Sequence, residues 1–234
     1  MSDLSIRLQS VLDRTASACE RAGRDPTEVT LVAVSKTRSP GEVVEVLQAG
    51  QFDLGENYVQ ELLEKRDAVE VSGFTAGRWH LIGHLQTNKV KYVAPFCHLI
   101  HSVDSLKLAT EISLRAGQQG RRQAVLLQVN IAREEAKSGA EEEGLAELAR
   151  ETADLPNVDL QGLMIIPPLT EDPEGSRPYY RRLRELAQEL EGAGIPAGNL
   201  QHLSMGMTGD FEVAVEEGAT LVRVGTAIFG PRGT

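Results

Sequence analysis

The chain has 234 residues, 41% of them hydrophobic but only 4% aromatic, so it can bury one large core or at most two small ones, built mainly from Leu, Val, Ile and Ala. Lysine and arginine number 24 against 34 aspartates and glutamates, a formal charge of −10. That balance excludes a general nucleic-acid binder, whose affinity depends on a positive field, but leaves room for a local basic pocket.

In chain order, residues 3–22 read as an amphipathic helix closed near Gly23, with Cys19 on its buried face. The first strand spans 30–35 and is followed by a helix at 40–49 that ends at Gly50. The second strand, 52–55, leads to a helix at 59–69, and the third, 79–83, to a short helix at 85–92. The fourth strand is 98–101, with Asp104 as N-cap of a helix reaching 115. The fifth is 124–129, then a polar loop with Lys137, Ser138 and Gly139, and a helix at 141–153. The sixth strand is 158–164, stopped by Pro167 and Pro168, with Ser176 capping a helix at 178–191. Strands at 199–203 and 220–224 complete the set, with a helix starting near Thr208 between them.

Each strand is followed by helix or helix-like chain and no hairpin signal intervenes, so parallel strands covered by helices are expected. Eight such units favour a closed (β/α)8 TIM barrel with an extra N-terminal helix over an open doubly wound sheet. No composition shift marks a second domain, so residues 1–234 are expected to form one. Cys19 and Cys97 make no ligand or redox pair, and the N-terminal stretch lacks a long apolar run. No signal peptide, no membrane span and a cytoplasmic location follow as expectations.

In such a barrel the working residues come from the carboxyl ends of the strands. The run TLVAVSKT places Lys36 at the end of a strand buried on both faces. Its amine is either a lysine leaning into water or a Schiff-base nucleophile made neutral by burial or a cationic neighbour. HLSMGMTGD, 202–210, is a strand end, a glycine turn and a helix start. It reads either as an ordinary loop or as an anion site using Ser204 and amides near Gly206 to Thr208. RVGTAIFG, 223–230, adds Gly225 for close backbone approach and Thr226 at a short helical turn. Loops after strands seven and eight often hold phosphate in these barrels, so the two segments reinforce each other. Arg223 alternates with Leu221, Val222 and Val224; it either faces inward to a ligand or pairs outside the barrel. His80 and His84, with Asp53 and Glu56, have no recognisable ligand spacing, and no metal is expected.

Lys36 in VAVSKT, GENYVQE at 55–61, WHLIGHLQTNK at 79–89, HSVD at 101–104, QVN at 128–130, GLMIIPP at 162–168, LSMGM at 203–207 and VRVGTAIFG at 222–230 together resemble the pyridoxal phosphate homeostasis protein family. These are single-domain relatives of the N-terminal barrel of alanine racemase. The resemblance implies a fold-type III barrel carrying pyridoxal 5′-phosphate (PLP) as an aldimine on Lys36. It implies phosphate contacts at Ser204, Gly206, Met207, Gly225 and Thr226, and Arg223 beside the pyridine nitrogen. Asn57 and His80 would be lesser contacts, and Met164 part of the wall. The implied role is PLP binding in vitamin B6 and amino-acid homeostasis without robust catalysis; the alternative is a slow PLP-dependent amino-acid racemase or related enzyme. The chain ends a few residues after its eighth strand, so no second domain bringing a tyrosine base is expected. Expected partners are PLP and PLP-dependent apoenzymes, with no nucleic acid or membrane, the protein being a monomer or at most a weak dimer.

Overall fold

Runs such as Leu31 to Val34, apolar on consecutive positions, can bury both faces only between a helix layer and a filled interior. The computed structural model describes residues 2–133 and 138–231, and among them the strands form one closed barrel with parallel neighbours. They are β1 (Thr30–Val34), β2 (Asp53–Glu56), β3 (Arg78–Leu81), β4 (Leu99–Val103), β5 (Gln123–Gln128), β6 (Val158–Met164), β7 (His202–Ser204) and β8 (Leu221–Val224), and β8 pairs back onto β1. The fold is the expected (β/α)8 TIM barrel.

The helices are α1 (Asp3–Arg21), α2 (Pro40–Gln48), α3 (Val59–Val71), α4 (Val90–Val93), α5 (Leu106–Gln118), α6 (Leu145–Ala153), α7 (Arg177–Gly192), α8 (Phe211–Glu216) and α9 (Thr226–Phe229). The N-terminal helix packs on α8 and α9 through buried Leu4, Leu8 and Val11, with Arg7 Nε donating to Ile228 O at 2.7 Å. It therefore backs the two loops that follow β7 and β8. None of the described helices is long and apolar enough to cross a membrane.

Period-2 alternation divides the apolar side chains into two layers. One large cluster, with Leu31, Ala33, Leu54, Leu81, Val222 and Val224 from the strands, meets the helices. A second cluster of Val32, Leu99, Leu126, Met164 and Leu221 fills the interior. Tyr180 is fully buried and Tyr179 packs partly against the outer cluster, so both serve helix packing.

Several boundaries differ from the sequence reading. Ser105, extended at φ −154°, occupies the N-cap position of α5 in place of Asp104. Ser176 precedes α7, but its hydroxyl donates to Asp210 at 2.8 Å and does not cap the first turn. The chain at 85–92 divides into a 3-10 turn, Thr87–Lys89, and α4. Strand β7 starts at His202, after a 3-10 turn at Ala197–Asn199. Lys137 lies outside the described residues.

Between β5 and β6 the register steps from Val125 opposite Leu160 to Leu126 opposite Gly162, so Gln161 is an extra residue in a bulge. Gly162 has φ +152°, and a β-carbon there would collide with the backbone carbonyl of His202. Gly162→Ala is expected to cost roughly 2–3 kcal/mol, read as a lower midpoint in urea with unchanged slope.

Candidate functional site

The carboxyl ends of the strands open into a cavity of about 390 Å³. Its lining includes Val34 and Lys36 after β1, Asn57 after β2, Ile82 after β3, Ile166, Pro168 and Thr170 after β6, Met207, Thr208, Gly209 and Asp210 after β7, and Arg223, Gly225 and Thr226 from β8 onward. Six of the ten expected site residues thus share one cavity: Lys36, Asn57, Met207, Arg223, Gly225 and Thr226. His80, Met164, Ser204 and Gly206 are not in its lining.

The reason is depth within the strands. Ser204 belongs to β7, so it points into the barrel, fully buried, and engages Arg223 and His101. Met164 ends β6 and joins the interior apolar cluster, and His80 is an inward residue of β3. Gly206 has φ +89°, and a β-carbon there would lie 2.5 Å from Ala214 Cβ. Its glycine lets the loop fold back onto α8, while its carbonyl accepts from Arg223 N at 3.0 Å. The hydroxyl-bearing residue that lines the cavity after β7 is Thr208, read from sequence as a helix start and for its backbone amide, with the hydroxyl role given to Ser204.

Lys36 rises from a braced strand end. Ser35 Oγ donates to Glu56 Oε1 at 2.6 Å, and Lys65 Nζ donates to Glu56 Oε1 at 2.7 Å, Ser35 O at 2.7 Å and Glu61 Oε2 at 3.0 Å. Glu61 also accepts from Thr37 N at 2.7 Å, holding a β-branched residue at φ +64° directly after the lysine. Burial pushes the Glu56 carboxyl upward from its ordinary range, against the pull of Lys65 and Ser35. None of this clamp was legible beforehand; the visible signal was a glutamate on a buried strand, followed two helical turns later by a lysine.

Across the cavity, the loops after β7 and β8 are fastened together. Gly225 N donates to Thr208 Oγ1 at 3.2 Å, Met207 N donates to Asp210 Oδ1 at 2.7 Å, and Ser176 Oγ donates to the other oxygen of Asp210. A β-carbon on Gly225 would stand 3.1 Å from Val34 O, so glycine keeps this loop close to β1. The guanidinium of Arg223 faces inward, 4% exposed, with Nη1 donating to Ser204 Oγ at 2.7 Å and Nη2 to Ile165 O at 2.8 Å. Burial lowers its pKa to about 10. Asn57 Oδ1 is a buried acceptor with no hydrogen-bond partner, in a residue that lines the cavity. The arrangement combines an amine, a small backbone-rich cradle, a fixed guanidinium and apolar walls from Val34, Ile82 and Ile166. It suits a flat ring bearing an anionic group at one end and an amine-reactive carbon at the other.

Comparison with known proteins gives the chain its relatives. Residues 6–233 match the family described as "Alanine racemase, N-terminal domain". A pyridoxal phosphate homeostasis protein of Aquifex aeolicus is 50% identical over 226 residues, 97% of each chain. The structure of PipY from Synechococcus elongatus PCC7942 with PLP bound is 35% identical, with TM-score 0.84, covering 97% of this chain and all of that one. An alanine racemase of Clostridium difficile, 16% identical with TM-score 0.75, covers all of this chain and 58% of its own, which shows a common fold alone.

Proposed function

The chain belongs to the pyridoxal phosphate homeostasis protein family, and on that premise we propose that it is a PLP carrier, attached covalently through Lys36 and without rapid turnover of its own. The observation that carries this reading is the single cavity shared by Lys36, Arg223 and the joined β7 and β8 loops. Two features of this chain fit the cofactor. The orphaned acceptor Asn57 Oδ1 needs a donor from a ligand, and the glycine-containing cradle beside Thr208 and Thr226 admits a phosphate-sized anion.

When bound, PLP supplies an amine-reactive aldehyde and an electron-withdrawing ring. Lys36 Nζ would be the attacking amine. Thr208, Gly209, Gly225 and Thr226 would hold the phosphate with Met207 beside them, and Val34, Ile82 and Ile166 would exclude water from the ring. Arg223 would serve the ring nitrogen: a guanidinium is a donor that keeps its proton, so it would leave that nitrogen unprotonated and the ring a weak electron sink. His80, Met164, Ser204 and Gly206 support these residues from beneath.

A carrier is favoured over a racemase by the state of the one carboxylate among the described lining residues. That is Asp210, and both its oxygens already accept hydrogen bonds. The buried free thiols of Cys19 and Cys97 fit a reducing cytoplasm. Apoenzymes that take the same cofactor are the recipients such a carrier would serve.

The test is the absorbance of the purified protein mixed with PLP, before and after borohydride, followed by locating the reduced adduct. A near-ultraviolet or visible band fixed by reduction onto Lys36 is expected, and L-alanine should keep its enantiomeric purity. A colourless protein, or an adduct on another residue, would sink the proposal, and rapid racemisation would replace it by an enzyme. For the cradle, Thr208→Ala is expected to speed cofactor loss about fivefold, the order of one hydrogen bond, measured by competition with a PLP-accepting apoenzyme.

A further inference from the structure

A line of polar side chains runs down the inside of the barrel, where an all-apolar core would have been simpler to satisfy. From the cavity downward, Arg223 Nη1 donates to Ser204 Oγ at 2.7 Å, and Ser204 Oγ lies 2.8 Å from His101 Nδ1. His101 Nε2 lies 2.9 Å from His80 Nδ1, and His80 Nε2 lies 3.1 Å from Asp53 Oδ1. Every member is buried, Asp53 at 6% exposure being the most accessible. Asp53 starts β2, so the line ends at the face of the barrel opposite the cavity, where Arg78 reaches it from solvent and donates to both carboxylate oxygens.

The two ends fix the direction of every link. Arg223 can only donate. At the other end burial opposes ionisation of Asp53, but hydrogen bonds from Arg78 and His80 outweigh it and hold the carboxyl well below the usual range, so Asp53 only accepts. With one proton on each ring, His80 must therefore carry it on Nε2 and accept at Nδ1. His101 must then carry its own on Nε2 and accept at Nδ1, and burial keeps that ring neutral. The Ser204 hydroxyl consequently gives its proton to His101 and turns its lone pairs to Arg223. Asp53, His80 and His98 also bring ligand-type atoms within 4.8 Å of one another. The guanidinium of Arg78 on both Asp53 oxygens and the proton on His80 Nε2 fill that space with donors, which a metal ion would have to displace.

We propose that Asp53, His80, His101 and Ser204 are positioning residues that act through one head-to-tail hydrogen-bond chain, running the depth of the barrel, to fix the Arg223 guanidinium against the ring of the bound cofactor. Arg223 Nη2 is tied to a backbone carbonyl, Ile165 O; the chain supplies the second anchor, so the fork cannot swing about its stem. Aligned links polarise one another, which strengthens the last of them. The far end, Asp53 with half-exposed Arg78, is thereby joined to the cavity floor. This step rests on the PLP reading for what Arg223 faces, but the chain itself does not.

Two measurements test it. In the protein without cofactor, nitrogen-15 NMR at pH 8 should find both His80 and His101 as Nε2–H tautomers with Nδ1 unprotonated. Either ring found as the Nδ1–H tautomer, or doubly protonated, overturns the chain even if PLP never binds. In the loaded protein, His101→Leu breaks the line, whereas His101→Gln can accept from Ser204 and donate to His80. His101→Leu should displace the absorbance maximum and speed cofactor loss about fivefold, with His101→Gln restoring both towards the wild type. His98→Asn, beside the line but outside it, should change neither. An unaltered spectrum and release rate in His101→Leu would refute the positioning role, and a fall in melting temperature without either change would count as the same refutation. Should the wild type itself show no band reducible by borohydride, the PLP reading fails while the tautomer result still judges the chain.

Discussion

Lys36→Ala protein mixed with PLP should show only the spectrum of the free aldehyde, leave no reduced adduct after borohydride, and lose the cofactor completely on gel filtration. The argument is one of what remains. The substitution leaves the fastened β7 and β8 loops, with Gly225 N on Thr208 Oγ1, and the Arg223 anchors on Ser204 and Ile165 intact. Phosphate and ring contacts would persist, but each net hydrogen bond is worth about 1 kcal/mol, too little together to hold a small ligand through dilution. The covalent link is the term that converts a weak site into a carrier. A Lys36→Ala protein that kept its colour would shift the attachment to another amine. One that released PLP no faster than the wild type would show that the cradle alone holds it.

The architecture was legible because it rests on contiguous apolar runs. Leu31 to Val34, Val125 to Leu127 and, interrupted by Arg223 alone, Leu221 to Val224 are strands whichever residue begins them, and the helix-period stretches between them force the parallel crossover. Lys36, Gly225 and Thr226 were legible at the mouth for the same reason, since they follow such runs directly. Depth inside the barrel was not, because it changes with every single residue of strand boundary. With β7 ending at Ser204, that hydroxyl turns to the interior, and the first one free of the strand in the cavity is Thr208. In the same way β4 runs on to Val103, so His101 is not the strand's last residue but lies mid-strand, aimed at Ser204 across 103 residues of sequence. Lys65 was hidden for a different reason. Its partner Glu56 is nine residues earlier, and only the angle at which α3 lies on β2 decides whether a lysine there meets solvent or the base of the Lys36 loop.

That hidden pair carries a large stability effect. Lys65→Met should cost roughly 3–5 kcal/mol at neutral pH, the range for stripping one partner from a buried ion pair, and lower Tm by on the order of 10 °C. The Lys65 side chain is 5% exposed and Glu56 is fully buried, with Glu56 Oε2 already lacking a partner. Without the ammonium, Glu56 keeps only Ser35 Oγ as a donor, while Ser35 O and Glu61 each lose one of two donors and keep Arg38 N and Thr37 N respectively. The sign with pH follows from linkage. Burial already raises the folded-state pKa of Glu56 above its ordinary 4.5, so protonation favours the folded form, and that advantage is lost as pH rises through the folded pKa. Removing Lys65 raises it further, so the gap between variant and wild type should be widest at neutral pH and narrow as the carboxyl protonates towards 4.5. Adding Glu56→Gln to Lys65→Met should recover part of the loss, since no charge is then left buried. Denaturant midpoints for the three proteins across that range decide it; a gap that widens in acid would place the charge elsewhere. Because the same lysine braces Ser35 and, through Glu61, the strained Thr37, Lys65→Met should also slow PLP attachment at Lys36 even at temperatures where the variant remains folded.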